Sequence, residues 1–339
     1  MKYLFPKIVG FFRDDHSIYI DVKNIPGKRQ SILIDCGNNH TLAMKDFIRL
    51  STVLISHAHI DHLIGFDNIL RMNLREKKRI RIIGPAPLSK ILHHRLQGYI
   101  WNLIYDSSFE IEVWDIHPRI IKKYLFRCCE GFAKKYFIGK MPATTILLNN
   151  DYYQCSYIRL DHDIPSIGYT LEEKDTVKLD KNKLKELNLP EGKWIQKLKS
   201  GDFSKSETIS GTDGKPWSMV HLHNTLISRR NGFKISYISD TILNRRLEKN
   251  IVEMVKHSDI LYCESTFMHK DRHLAEKYYH LTARQAGYLA KQAQVKQLYL
   301  IHLSLRYSNP YSLLKQAQEQ FPNTKFPKFS KVCHVSRKV

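Results

Sequence analysis

The chain has 339 residues but no Cys-x-x-Cys pair among its six cysteines, Cys36, Cys128, Cys129, Cys155, Cys263 and Cys333. That spacing suggests neither a zinc knuckle nor a disulfide framework, so reduced thiols in a cytosolic protein are expected. No run reaches the roughly 18 apolar residues that a membrane span requires. The first residues, 1–12, have an apolar flavour, but Lys2 and Lys7 interrupt them, Arg13-Asp14-Asp15 ends them, and no small-residue cleavage site follows. The expectation is therefore a cytoplasmic protein with no membrane association. Tandem repeats and low-complexity tracts are also lacking. Acidic residues are the scarce charge: 33 Asp+Glu stand against 54 Lys+Arg, a formal net charge of +21 with a pI near 9.6. Such an excess draws polyanions, and nucleic acid is the first partner to test. Hydrophobic residues at 42% and charged residues at 26% are ordinary for a globular chain and exclude a fibre or a disordered tail.

What is present is a succession of short β-branched runs separated by helical patterns, which predicts a layered α/β fold. Strands are predicted at 17–21, 31–35, 52–56, 79–83, 157–160, 167–171, 233–238, 260–263 and 297–301. A helix is predicted from 62 to about 76, on the spacing of Leu63, Phe66, Leu70 and Leu74, and another at 283–293. The second opens on Thr282 with Gln285 three residues on, a capping box, and Ala283, Ala286, Ala290 and Ala293 mark its buried face. Residues 84–150 mix aromatic and basic side chains in what reads as a helix followed by several strands. The stretch from about 174 to 215 is rich in Lys, Gly, Pro and Asp, has weak periodicity, and reads as an insertion or arm.

The strongest chemical signal is Ser56-His57-Ala58-His59-Ile60-Asp61-His62, directly after a strand. Four ligand-type side chains in His-x-His-x-Asp-His spacing can turn toward one point, and imidazole nitrogen with carboxylate oxygen suits zinc and similar divalent ions. One strand-end histidine alone would more often be a surface or core residue; four together are not explained that way. The motif offers a His pair and an Asp-His pair, which points to two metals and to further ligands elsewhere. Asp240, His302 and His162 all follow apolar strands as the motif does, so one edge of the sheets can gather them.

With Asp35 on a preceding strand, the 57–62 motif resembles the metallo-β-lactamase superfamily, whose fold is an αββα four-layer sandwich with metals at one edge. Within it the chain resembles ribonuclease Z, through His162-Asp163-Ile164-Pro165-Ser166-Ile167-Gly168-Tyr169, Ser239-Asp240-Thr241, Glu264-Ser265-Thr266-Phe267, His280-Leu281-Thr282-Ala283 and His302-Leu303-Ser304-Leu305-Arg306-Tyr307. These segments come in the family's order and span roughly residues 30–307. The resemblance implies a single metallo-β-lactamase-fold hydrolase domain over 1–339, with the insertion as a substrate-binding arm. It implies endonucleolytic removal of the 3′ trailer from precursor tRNA, by a hydroxide bridging two divalent ions, most simply Zn²⁺. It assigns His57, His59 and His162 to the first ion, Asp61, His62 and His302 to the second, and Asp240 to the bridge.

Asp61 can also orient the hydroxide and accept its proton. Departure of the 3′-oxygen needs a proton, for which the candidates are His280 and Glu264; the carboxylate favours the protonated imidazole, while the helix start at Thr282 opposes it. Arg306 can grip a phosphate or pair with a surface acid. The family has His-Glu-Ala-Thr and His-Ser-Thr where this chain has Cys263-Glu264-Ser265-Thr266 and His280-Leu281-Thr282. Its Gly/Pro-rich arm grips the tRNA elbow; the corresponding stretch, 189–201, keeps lysines but little Gly/Pro character. Family members commonly form homodimers that present one subunit's arm to tRNA bound at the other.

Two basic clusters are candidate phosphate contacts: Arg71, Arg75, Lys77, Lys78, Arg79, Arg81, Lys90 and Arg95 in the first, and Lys325, Lys328, Lys331, Arg337 and Lys338 near the C-terminus. Tyr99, Trp101 and Tyr105 are expected to pack in the core rather than stack on bases. Two rival functions follow from the same residues: a phosphodiesterase for small substrates such as cyclic nucleotides, and a noncatalytic RNA-binding protein.

Overall fold

Strand residues alternate between two buried faces, and that alternation builds the layers. In β2 (His16–Val22), Ile18, Ile20 and Val22 point into one apolar cluster while Tyr19 points into another. A sheet covered on both faces needs near-continuous apolar strands, which is why they were conspicuous in the sequence. The computed structural model describes residues 2–27 and 29–329.

The first sheet runs in strict chain order: β1 (Leu4–Gly10), β2, β3 (Gln30–Ile34), β4 (Leu50–Leu54), β5 (Arg79–Pro85), β6 (Glu110–Ile116), β7 (Ile120–Arg127) and β8 (Tyr136–Pro142). Strands β3 to β6 are parallel, and the flanking pairs are antiparallel. Helices α1 (Met44–Arg49), α2 (Phe66–Asn73) and α3 (Leu88–Leu96) bring Phe47, Phe66, Ile69, Leu92 and Leu96 to its outer cluster.

The chain continues with β9 (Ile146–Asn149), β10 (Tyr153–Asp161) and β11 (Pro165–Glu173), and then an insert of β12 (Thr176–Leu179), α4 (Lys181–Glu186), α5 (Trp194–Ser200), β13 (Thr208–Ser210), β14 (Pro216–Ser218), α6 (Met219–Leu226) and β15 (Ile227–Arg230). It resumes with β16 (Lys234–Ile238), α7 (Arg245–Val255), β17 (Ile260–Glu264), α8 (Arg272–Lys277), α9 (Ala283–Gln292), β18 (Leu298–Ile301), α10 (Tyr311–Gln320) and β19 (Thr324–Lys325). The second sheet has the order β19-β18-β17-β16-β11-β10-β9. Tyr169, Tyr237, Ile235 and Tyr262 face the first sheet across a shared core, and α7, α9 and α10 close the other side with Ile251, Val255, Leu289 and Leu313. This is the αββα sandwich expected from the sequence.

The insert, Glu173–Gly232, is a compact unit distinct from the rest of the chain. It has its own small core of Leu184, Leu189, Leu198, Met219, Leu222 and Leu226. The expected insertion at about 174–215 falls short of its end, because β12 and β15 pair antiparallel, Thr176 opposite Arg230 and Leu179 opposite Ile227. In 189–201, where Gly and Pro are sparse, the chain forms α5.

The helix expected from residue 62 begins at Phe66. Asp61 and His62 lie in a 3₁₀ turn, Ile60–His62, and Gly65 precedes the helix at a place where a Cβ would collide with Gly37 O and the Asn39 side chain. That close approach locks the 57–62 loop against the turn after β3. The capping box on α9 forms as predicted: Thr282 Oγ1 accepts from Gln285 N and Gln285 Oε1 accepts from Thr282 N. Residues 84–150 resolve into α3 and strands β6 to β9. Helix α9 also lies close to α10: a Cβ on Gly287 would stand 2.5 Å from Ala317 O. Gly287→Ala should therefore destabilise the fold by about 1–3 kcal/mol through overpacking, in spite of alanine's better helix propensity. Chemical denaturation checks this, and a variant as stable as the parent would show that the two helices can separate freely.

Candidate metal centre

The carboxyl ends of β4, β10, β16, β17 and β18 lead into His57–His62, His162, Asp240, Glu264 and His302 respectively. Two residues at strand ends adopt left-handed backbone conformations uncommon for side chains with a Cβ, Asp35 at φ 55° and His302 at φ 52°. Such conformations persist where surrounding contacts fix them, and they concentrate at functional sites.

The Asp240 carboxylate is the meeting point. Its Oδ2 lies 3.8 Å from His57 Nε2, 3.6 Å from His62 Nε2, 3.7 Å from His162 Nε2 and 3.4 Å from His302 Nε2. Three donor groups form around it, His57, His59 and His162 in the first, Asp61, His62, Asp240 and His302 in the second, and Asp240, Glu264, His280 and His302 in the third, with ligand atoms in each group within 4.8 Å of one another. Asp240 Oδ1 and His62 Nε2 are buried without a hydrogen-bond partner. Buried polar atoms rarely go unpaired, and an acceptor facing imidazole lone pairs is matched by a cation rather than by another hydrogen bond. The residues fit divalent metal.

Outer partners aim each imidazole. Asp35, fully buried, accepts from Ser56 N at 2.6 Å, Ser56 Oγ at 2.7 Å, Tyr237 OH at 2.6 Å and His62 Nδ1 at 2.7 Å, so His62 presents Nε2 inward. His57 Nδ1 lies 3.0 Å from Ser56 Oγ, and His162 Nδ1 donates to Tyr279 O at 2.7 Å. Thr266 Oγ1 donates to Glu264 Oε2 at 2.7 Å and lies 3.0 Å from His302 Nδ1. Partners of this kind fix tautomer and ring orientation at metal sites. Sequence reasoning missed Ser56, Tyr237, Thr266 and the Tyr279 carbonyl as orienting groups, since hydroxyls and carbonyls carry no spacing signature. Asp35 did leave a signal, as a carboxylate closing an otherwise apolar run.

Charge within the cluster follows from burial and neighbours. Burial, and then the charge of His62, pulls His57 down to about 3, which leaves a neutral imidazole. Burial also lowers His59. His302 is pushed up to about 9, because Asp240 and the hydrogen bond with Asp61 outweigh its burial. Asp61 and Asp240 lie well below the usual carboxylate range despite burial, held there by His62 and His302. Ionised carboxylates in a dry site demand positive charge, which a divalent ion supplies while leaving the imidazoles neutral.

Beside this cluster, His280 Nδ1 lies 3.1 Å from Glu264 Oε2, and Glu264 also accepts from Thr241 N at 2.7 Å. Burial lowers the His280 pKa, but the charge of Glu264, its hydrogen bond and the charge of Asp240 together raise it. Arg306 is exposed, and its backbone N–H donates to Ser304 Oγ at 3.2 Å.

The first basic cluster is largely structural. Lys78 Nζ donates to Ile48 O and Leu50 O at the end of α1, Arg79 pairs with Glu110, Arg81 stands over Trp114 near Glu112, and Arg95 grips Asp67 and Leu63 O. Arg71, Arg75, Lys77 and Lys90 stay exposed. Trp101 packs on Phe132 as expected, whereas Tyr99 and Tyr105 are 43% and 80% exposed, contrary to the core reading, because they lie in the loop after α3. Lys331, Arg337, Lys338 and Cys333 lie outside the described residues; the other five cysteines are free thiols. No helix among the described residues is long and apolar enough to cross a membrane.

Ribonuclease Z of Enterococcus faecalis is 32% identical over 305 residues, covering 87% of this chain and 84% of that protein. The chain belongs to the ribonuclease Z family. Another member, ribonuclease Z of Deinococcus radiodurans, is 28% identical over 324 residues, 94% of this chain and 96% of its own length. The model of a family described as anti-Pycsar protein Apyc1 matches residues 24–123, which include Asp35 and the 57–62 motif. Among solved structures, the metallo-β-lactamase fold protein YhfI from Bacillus subtilis shares the fold, with a TM-score of 0.54 at 13% identity over 96% of this chain and 93% of that one. Membership of the ribonuclease Z family carries divalent-metal binding with it, in line with the donor set. Asp35→Asn would turn an amide N–H₂ toward donors and release His62, and should weaken divalent-metal affinity about 10- to 100-fold. Metal titration of the folded variant checks this; unaltered affinity would mean that His62 needs no orienting carboxylate.

Proposed function

We propose that this chain hydrolyses precursor tRNA, removing the 3′ trailer by endonucleolytic cleavage, with two zinc ions held by His57, His59 and His162 and by Asp61, His62 and His302, and with Asp240 shared between them. The observation that carries this reading is the convergence of two donor groups on one buried carboxylate, with the Glu264–His280 pair alongside. The relatives named ribonuclease Z supply the substrate class. Bound divalent ions would acidify water and neutralise charge on the phosphodiester.

The chain's own residues do the rest. Asp61 lies at the mouth with a part-exposed side chain, its Oδ2 3.3 Å from His302 Nε2, and there it can orient the attacking water and take its proton. His280 spends Nδ1 on Glu264, which leaves Nε2 to hand a proton to the departing 3′-oxygen. Arg306, exposed beyond His302, holds a substrate phosphate. The insert unit, with its many lysines, grips the tRNA, and we read the working form as a homodimer in the cytoplasm.

Incubation with a trailer-bearing tRNA and with a cyclic nucleotide decides between substrates. Cleavage at the trailer junction is expected, and hydrolysis of the small ester alone would overturn the tRNA reading. Asp61→Ala should abolish hydrolysis while salt-sensitive RNA binding persists, since affinity rests on phosphate contacts elsewhere; undiminished turnover would remove Asp61 from the mechanism. His280→Ala should slow cleavage by about 10² to 10⁴, the worth of a positioned general acid. That loss should shrink on a diester with a nitrophenolate leaving group, which departs unprotonated. Equal losses on both substrates would assign His280 another role.

A further inference from the structure

The hairpin of β7 and β8 forms the far edge of the first sheet and carries a patch that the metal centre does not use. Tyr124 and Phe137 are cross-strand partners with ring centroids 5.8 Å apart in an edge-to-face arrangement, and Phe137 is 58% exposed. Lys122 stands directly opposite Lys140 in the same ladder, and Lys135 Nζ lies 4.7 Å from the Tyr124 ring centroid.

Like charges directly opposite one another on a strand pair oppose its formation. Local acids do not offset this pair. Asp115, across from Lys122 on β6, is buried with both oxygens accepting from Ser89, and Glu130 is taken by Arg127 and Tyr136. Among the described residues, no ion pair or hydrogen bond engages the ammonium groups of Lys122, Lys135 or Lys140. An exposed ring bordered by unpaired cations matches one ligand chemistry, an unpaired polynucleotide strand, whose bases stack while its phosphates meet lysines. The register also places the patch well. Lys122 and Lys140 stand level with the ends of β4 and β5, through Leu54 opposite Ile83, Ile83 opposite Trp114 and Trp114 opposite Lys123. Three strand spacings, about 14 Å, separate β7 from the strand that leads into the His57–His62 loop.

We propose that the β7–β8 hairpin is an RNA-contact surface that holds an unpaired strand, through stacking on Phe137 and phosphate contacts from Lys122 and Lys140. This rests on the RNA reading of the metal centre, and it adds a place where single-stranded substrate lies outside that centre. Full-length parent, Phe137→Ala, Phe137→Trp and the double variant Lys122→Ala/Lys140→Ala are compared by fluorescence anisotropy. The probes are a labelled unstructured oligoribonucleotide and a trailer-bearing tRNA, each over a salt series, and hydrolysis of a nitrophenyl phosphodiester reports on the metal centre.

Phe137→Ala should bind the oligoribonucleotide about 5- to 100-fold more weakly. Phe137→Trp, which keeps a stacking face, should match the parent. The double lysine variant should lower the log–log salt slope by about 1.4, two single-strand phosphate contacts. Phosphodiester hydrolysis should hold in all variants. Unchanged affinity and slope would overturn the proposal, as would equal losses in the Ala and Trp variants. A parent that hydrolyses the phosphodiester but leaves tRNA intact would instead defeat the proposed function, and the oligoribonucleotide comparison would still decide the hairpin.

Discussion

One buried carboxylate oxygen organises the centre. Asp240 Oδ2 faces four imidazole nitrogens contributed by three widely separated parts of the chain, at 3.4–3.8 Å. Bringing an anion and so many imidazoles out of water costs more than the core can offset unless a cation enters or the imidazoles charge. The surrounding structure is arranged so that the lone pairs point inward: Asp35, Ser56, Thr266 and the Tyr279 carbonyl each hold the outer nitrogen of a ring. The strained backbone at Asp35 and His302 fits the same constraint, since both residues must turn sharply off a strand end to reach their partners.

The sheets make this possible by geometry. Parallel strands end on the same edge, and β16, β17 and β18 are parallel neighbours whose ends carry Asp240, Glu264 and His302. The first sheet contributes through β4, whose end opens into the His57–His62 loop, and Tyr169 OH ties the second sheet to that strand end by donating to Ile55 O at 2.7 Å. Ligand-type side chains from one sheet thus meet those from the other at a rim sealed by apolar packing beneath. The Glu264–His280 pair stands at the same rim and closes a third donor group with Asp240 and His302.

The high net charge divides into two kinds of use. Lys78, Arg79, Arg81 and Arg95 look like a polyanion-binding run in the sequence, yet their heads serve carbonyls, carboxylates and an aromatic ring. Linear clustering cannot tell a cation that caps a helix from one that waits for phosphate, because the difference is whether a partner lies across the fold. Lys122 and Lys140 show the converse: they are 18 positions apart in the chain and form no run, but the ladder sets them face to face.

The sequence by itself determined the layered class, nine of the strands, the capping box on α9 and the ligand-type residues of the candidate centre, because strand alternation, end-capping and ligand spacing are local patterns written in consecutive positions. It also carried the family, since motifs in a fixed order need no coordinates to be compared. Only the tertiary structure decided that Asp35 orients His62, that Thr266 serves both Glu264 and His302, where α2 begins, where the insert ends, and which cations are already engaged. Each of those depends on a contact between positions far apart in the chain, and hydroxyls, carbonyls and charged heads acquire a role only from what the fold sets within about 3 Å of them.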